Sequence, residues 1–526
     1  MTTKNPSTNI INKLIIGTLC FAGFVFFIYL SLKFCDTDLY YIIPTGRYIL
    51  KNGIPYENPF ITTPGQNIVI QNWLYCAIVA LMYNTAHSMG LWFLQIFSII
   101  IMITVIAFFF HLKESHNKII TCIFIAISIS TFSYINLRPE MLTFILIMIE
   151  ILSIEKYNAT NKTRYLWLLP ITTLLEINCH ASYWIMHFII LLPYLIQSIN
   201  ERTVLKKIKN FIIPLILMIF SLFINPYGIN AITYVFDALS SSVINLIGIQ
   251  EQMPFSLKSI YSLIFILATF VFLIMLYRKC LTLTDIFMYI GFSVLFVLAA
   301  KWISFYMISL LYLFRAINVQ ISNIKFSYNH WQRKIKSLGV IYFILIIIVF
   351  EIIYISLGFY KKIQLLDFQT DTYMNNTAVN KCFDEEFEKI CDYLDKTDPN
   401  SSVFAKFEQS NYFEFRGYKI YSDARPELYV EAIAGSDDLA FTYFKIYKGV
   451  DLYKWSQSKG ENPEISNYCL DSEKYAAIVD NINIDYFFVN TTNNTLLYYY
   501  LDSSPNKYEC TFSCNEYKLY KKLANT

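Results

Sequence analysis

Apolar runs long enough to cross a bilayer recur along this chain, and every second gap between them is basic. The runs fall at Leu14–Leu32 and near 88–110, 119–136, 140–154, 165–178, 183–199, 210–225, 259–277, 284–300, 302–320 and 338–358. A helix needs ~20 apolar residues to span the hydrocarbon core. The gaps HLKESHNK, EKYNATNKTRY, NERTVLKKIK, RKCLTL and SNIKFSYNHWQRKIK are basic. If each run crosses once, those five loops share one side with the N-terminus, and the loops of the other side carry few Lys or Arg. The positive-inside rule then makes the basic side cytoplasmic. The expected fold is an all-α polytopic membrane domain of about eleven transmembrane helices over 1–358. The first run ends without a small-x-small cleavage site, so it is expected to be a retained span.

Composition agrees with this reading. Only 15% of the residues are charged against 56% hydrophobic, and mean hydropathy is +0.43, where a soluble domain carries about a quarter charged residues. A net charge of +3 gives no electrostatic reason to expect nucleic acid as a partner. Eleven cysteines include no C-x-x-C pair, which argues against a structural zinc site.

An odd number of spans places 359–526 outside the cell membrane. There the apolar runs shorten to strand length: SVFAKF, YKIYSD and IDYFFVN read as short strands and FDEEFEKICDYLDK as an amphipathic helix. A small α/β extracytoplasmic domain is expected. Five of its residues are cysteines, Cys382, Cys391, Cys469, Cys510 and Cys514, so disulfides are compatible with this compartment.

Polar residues at the span ends gather on the outer face. Asp36 and Asp38 follow the first span, Arg138 and Glu140 end the third, and Asn178 and His180 occupy the turn after the fifth. Glu251 lies in the long outer loop opened by NPYG, and Lys301 lies between the ninth and tenth spans. Charges at membrane depth are costly, so a shielded functional cavity is the default reading. The first outer loop, 33–87, holds an amphipathic stretch from Tyr40 to Leu50 stopped by Asn52-Gly53. After it, NIVIQNWLYCAIVALMYN reads as a helix on the interface, anchored by Trp73 and Tyr75.

The pattern D-x-D, aromatic, then TGRYILKNGIPYENPF and WL resembles bacterial multi-span proteins of the GT-C glycosyltransferase superfamily or close to it. The resemblance continues at LRPEMLTF, WLLPITTLLEINCHAS, NPYG with GIQEQMP, and VFAKFEQSNYFEFRGYKIYSDARPELY. Departures are Tyr40 and Glu176, each where Trp is usual, and Gln252 after Glu251 in place of Trp. The resemblance implies a glycosyltransferase, hexosyl or pentosyl, that uses a polyprenyl-phosphate-linked sugar on the outer face, with an acidic residue of the first outer loop as base.

The residues suit that chemistry. Transfer to a hydroxyl needs a carboxylate to take the proton, here Asp36 with Asp38 as its partner, and inversion is expected. The leaving phosphate needs fixed cations; Arg47, Lys51, Arg138 and Lys301 are available, with His180 adding a hydrogen bond. Glu140, Asn178 and Glu251 would line the remaining cavity. No cofactor is required, although Asp36 and Asp38 could hold Mg²⁺ or Mn²⁺. Expected partners are membrane lipid, the lipid-linked donor, and a glycan, lipid or protein acceptor of the cell envelope. The competing expectation is a non-catalytic transporter, flippase or assembly protein for lipid-linked glycans; no internal repeat of the kind common in transporters is visible.

Overall fold

The computed structural model describes residues 27, 31, 36–111, 136–241, 260–323, 385–434, 438–451, 454 and 468–523. The runs expected at Leu14–Leu32, 119–136 and 338–358 fall almost wholly outside these residues, as do Glu251, Cys382 and the domain boundary expected near 358. Two compact units make up the chain. One comprises Met1–Cys35, His87–Leu137 and Phe255–Cys382, the other Asp36–Ala86, Arg138–Pro254 and Phe383–Thr526.

The helices in chain order are α1 Leu39–Asn52, α2 Trp73–His111, α3 Pro139–Thr160, α4 Leu168–Cys179, α5 Trp184–Ile189 and α6 Leu191–Asn200. They continue with α7 Val204–Leu222, α8 Ile229–Ser240, α9 Ile260–Tyr277, α10 Leu283–Leu298 and α11 Ile303–Asn323. Among the described residues, three stretches are long and apolar enough to cross a membrane: Trp73–Phe110, Ala181–Asn200 and Ile303–Gln320. Ser262–Tyr277 and Leu283–Leu298 are apolar but shorter. These segments mark a membrane protein; they do not amount to the eleven spans read from the sequence.

Within the first unit, α9, α10 and α11 bury Phe272, Tyr289, Phe296, Tyr306 and Leu310 against one another. Thr282 and Asp285 form a reciprocal cap at the start of α10, and Arg315 of α11 reaches Asp285 at 3.1 Å.

The second unit begins with the first outer loop. Helix α1 ends as its sequence predicts, at Gly53, whose φ of 85° favours glycine. Gly46 lies so close to α2 that a Cβ there would meet the Cys76 carbonyl oxygen at 1.9 Å, so only glycine permits this approach. The expected interfacial helix is instead the first part of the 39-residue α2. Nothing in NTAHSMG stops the helix, although His87 carries a positive φ of 46°; the division between the two units falls at this point.

In the tail, α12 (Glu385–Thr397) and α13 (Phe407–Arg416) flank a five-stranded sheet. Its strands are β1 Ser402–Phe404, β2 Lys419–Ile420, β3 Tyr486–Asn490, β4 Tyr508–Cys514 and β5 Tyr517–Lys522, in the order β2-β1-β3-β5-β4. β1 pairs in parallel with β2 and β3, and β5 pairs antiparallel with β3 and β4. All five residues of β3 are buried, as a central strand covered on both faces requires. The β4–β5 hairpin, absent from the sequence expectation, turns at Asn515 with φ of 50°, a residue type that tolerates the left-handed region. Outside the named strands, Ile61 of the first outer loop bridges Ile420 on edge strand β2: Thr62 N–H donates to the Ile420 carbonyl at 2.9 Å and Ile420 N–H to the Phe60 carbonyl at 3.1 Å. The described tail cysteines Cys391, Cys469, Cys510 and Cys514 are free thiols.

Candidate functional site

Asp36, Thr37 and Asp38 form the turn that opens α1, with Leu39 N–H donating to the Asp36 carbonyl at 3.1 Å. Opposite them, Arg138 immediately precedes Pro139. A residue before proline is pushed to extended backbone, and Arg138 takes φ −115° and ψ 153° at the start of α3.

Its guanidinium grips Asp36 with two parallel hydrogen bonds, Nη2 to Oδ1 at 2.9 Å and Nε to Oδ2 at 3.0 Å. The same Nη2 lies 3.1 Å from Asp38 Oδ2. The three side chains are only 14%, 17% and 25% exposed, so this planar fork is shielded from water well beyond the level of an ordinary surface pair. Burial pushes the Arg138 proton affinity down, but Asp38, Asp36 and Glu140 raise it further, so the guanidinium is held firmly charged. Glu140 sits in the first turn of α3. Among the described residues no three His, Cys, Asp or Glu side chains gather as a metal site; the cation shared by Asp36 and Asp38 is Arg138.

The tail domain packs against this turn. Asn411 Nδ2 of α13 donates to the Thr37 carbonyl at 3.2 Å, and Tyr40 meets the rings of Tyr412 and Phe415 edge-on at 4.9 and 5.5 Å. Behind it, Arg425 is enclosed. It donates to Glu414 and Asp423, to Thr45 Oγ1 at 2.7 Å and to the Tyr41 carbonyl at 3.4 Å, and its guanidinium carbon lies 4.4 Å from the centre of the Phe60 ring. The SDARPELY segment is therefore a buried anchor between tail and outer loop.

Two carboxyls in that anchor are displaced from their ordinary range. Burial raises Glu414 to about 8, against the pull of Arg425. Burial likewise raises Glu427 from 4.5 to about 7, although its backbone contacts, Arg425 and the Gln71 N–H draw it down. A carboxyl raised on folding binds its proton more tightly in the native state, so its contribution is present below about pH 4.5 and is lost as pH rises toward 7. Each of these two carboxyls should lower stability by about 1.4 kcal/mol per pH unit across that window. Glu427→Gln should flatten the decline and leave the protein more stable than wild type at pH 8, by on the order of 2–3 kcal/mol. Thermal melts of both proteins between pH 4.5 and 8 check this; parallel curves would contradict it.

The other expected residues divide. His180 closes α4, with Nδ1 at 2.8 Å from Thr143 Oγ1. Asn178 accepts from Trp73 Nε1 at 3.0 Å and donates to the Ile224 carbonyl at 2.9 Å, tying the end of α4 to the start of α2. Arg47 and Lys51 lie on α1, nine and thirteen residues beyond Asp38, hence about 13 and 20 Å further along the axis. Arg47 donates to Asn84 Oδ1 at 2.9 Å and sits over the Tyr83 ring at 5.0 Å. Lys301 belongs to the other unit, in the short turn Ala300–Trp302 beside its own Trp302 ring.

Sequence reasoning missed a deeper group. Glu150 of α3, Glu176 of α4 and His187 of α5 are fully buried, with His187 Nδ1 bonded to Glu150 and Nε2 3.5 Å from Glu176 Oε2. The available signal was a charge in the middle of an apolar run, as in LIMIEILSI and WIMHFII.

No family model matches the sequence, and no curated protein matches it. Its fold is shared with solved archaeal oligosaccharyltransferases. The structure of AglB from Archaeoglobus fulgidus, in complex with an inhibitory peptide and a dolichol-phosphate, superposes with a TM-score of 0.57 at 10% identity. That match covers 97% of this chain and 74% of AglB. The apo form of the Archaeoglobus fulgidus oligosaccharyltransferase gives a TM-score of 0.54 at 10% identity, over 90% of this chain and 69% of the other.

Proposed function

We propose that this protein is a membrane glycosyltransferase that moves a sugar from a polyprenyl-phosphate donor to an acceptor outside the membrane, with inversion at the anomeric carbon. The observation that carries the reading is the Asp36–Asp38 pair held by Arg138 at the mouth of the first outer loop. Support comes from the fold, which is shared with a protein solved with dolichol-phosphate and a peptide bound.

Asp36 takes the proton from the acceptor hydroxyl as the new glycosidic bond forms. The bond from the anomeric carbon to the phosphate oxygen breaks, and its electron pair leaves with the phosphate. Asp38 and Arg138 hold the Asp36 carboxylate in register, and His180 donates to the phosphate, with Arg47 and Lys51 as further cations of the donor site. A divalent ion is optional in this scheme, with Asp36 and Asp38 as its ligands.

The test uses the purified full chain in detergent, where no second compartment exists, with a radiolabelled polyprenyl-phosphate sugar and a panel of hydroxyl and peptide acceptors. Label is expected to leave the lipid. An intact donor with every acceptor, under conditions where the protein stays folded, would overturn the reading in favour of binding or transport.

A further inference from the structure

Asn411 lies near the middle of α13 and is fully buried, a place where an amide is expected to have both its ends matched. Both are. Its Oδ1 accepts from Ala424 N–H at 3.1 Å, and its Nδ2 donates to the Thr37 carbonyl at 3.2 Å. A backbone N–H only donates and a carbonyl only accepts, so the side-chain amide fits one way round. It links the SDARPELY turn of the tail to the turn that carries Asp36 and Asp38.

The carbonyl it holds belongs to the Thr37–Asp38 peptide. The other end of that peptide, Asp38 N–H, donates to Asp36 Oδ1 at 3.2 Å, the oxygen that Arg138 Nη2 also reaches. A peptide unit is planar, so its carbonyl and its N–H turn together. Directing the carbonyl toward Asn411 therefore directs the N–H toward Asp36. Asp38 follows the same plane covalently, because its Cα is one of the six atoms that define it. Tyr40 N–H meets the Thr37 carbonyl from within the first turn of α1, at 3.3 Å; Asn411 meets it from outside the helix. One turn further on, Arg425 adds a second hold through the Tyr41 carbonyl and Thr45.

We propose that Asn411 is a positioning residue of the transfer site: it sets the plane of the Thr37–Asp38 peptide and, through that peptide, the placement of both carboxylates. The tail domain then completes the site as well as covering it. Asn411 acts through Thr37 and Asp36. Its hold on the turn stands on geometry, whereas its effect on rate rests on the function proposed above. The charged groups around it are Glu414 on the same helix, Asp423 and Arg425 on either side of Ala424, and Asp36 and Asp38 on either side of Thr37, with Arg138 beyond them.

Two variants of the full chain in detergent separate positioning from packing. Asn411→Leu keeps the volume and removes both bonds at every pH. Asn411→Asp keeps the shape; as a carboxylic acid it can donate to the Thr37 carbonyl and accept from Ala424 N–H, and as a carboxylate it cannot donate. Transfer from the radiolabelled polyprenyl-phosphate sugar is measured as a ratio to wild type at pH 5.5 and 8.5, beside hydrogen exchange of the amides of residues 36–42. Asn411→Leu should transfer about tenfold more slowly at both pH values, the size of one hydrogen bond, with faster exchange in that segment. Asn411→Asp should match it at pH 8.5 and recover toward wild type at pH 5.5 in both readouts. The neighbouring charges remain in every variant, so the Leu ratio reports their own pH effect. Should Asn411→Leu not fold, Asn411→Asp compared with itself across pH carries the test. A pH-independent Asp ratio, or exchange at 36–42 unchanged from wild type, would overturn the positioning role alone. No transfer by folded wild type would overturn the proposed function and the rate effect with it, and the exchange result would still decide whether Asn411 holds the turn.

Discussion

Asp36→Asn is expected to lower sugar transfer on the order of 10²–10⁴-fold, the range typical of losing a general base. The substitution is nearly isosteric, but it removes the charge and replaces one acceptor oxygen with an amide donor facing the Arg138 guanidinium. Asp38→Asn should lose less, because Arg138 engages Asp36 with two bonds and reaches Asp38 through Nη2. Arg138→Lys keeps the charge and gives up the fork, so it should fall between the two. Initial rates with a defined polyprenyl-phosphate donor provide the comparison, and thermal melts exclude misfolding as the cause. Wild-type rates in both aspartate variants would dismiss the pair as catalytic machinery.

Arg425→Met should destabilise the protein by about 3–5 kcal/mol, the usual consequence of leaving buried partners without their counter-charge. Glu414 and Asp423 would remain enclosed, and Thr45 and the Tyr41 carbonyl would lose a donor. The loss should depend on pH in a definite direction. At low pH the orphaned Glu414 escapes by taking a proton, so the deficit should be smallest in acid and grow as pH rises through about 8, the range to which burial already lifts that carboxyl. Thermal melts across pH, together with the rate of tryptic release of the tail, measure it. A melting temperature unchanged from wild type at alkaline pH would contradict the anchor.

These two groups differ in how far the sequence revealed them. Asp36 and Asp38 stand at the edge of an apolar run, and Arg138 precedes a proline at the start of another, so hydropathy and breaker residues are enough to single them out. That they meet is a tertiary fact, requiring the turn before α1 to face the start of α3, which no periodicity encodes. Helix α1 was legible because Gly53 stops it, and α12, β1 and β3 were legible from alternating or continuous apolar residues. The start of α2 was misread as a separate interfacial helix because an anchor-like Trp73 looks the same whether its helix ends or continues.

Glu150 and His187 escaped for a different reason. Sorting charges by the side of the membrane on which a loop lies draws attention to span ends and away from the middle of a run, where these residues sit. The role of Arg425 was half visible: its spacing from Asp423 announces an ion pair, but Glu414, Thr45 and Phe60 come from distant segments.

The bridge between Ile61 and Ile420 sets a timetable for biogenesis. Roughly 360 residues separate these positions, and chains are made at about 5–20 residues per second. The first outer loop therefore emerges on the order of half a minute before the strand it covers has been synthesised. Through that interval its own edge groups must be kept from pairing elsewhere. A tail produced without residues 36–72 would face the matching problem: an uncovered β2 edge and an Arg425 deprived of Thr45, the kind of exposed strand that recruits a second chain.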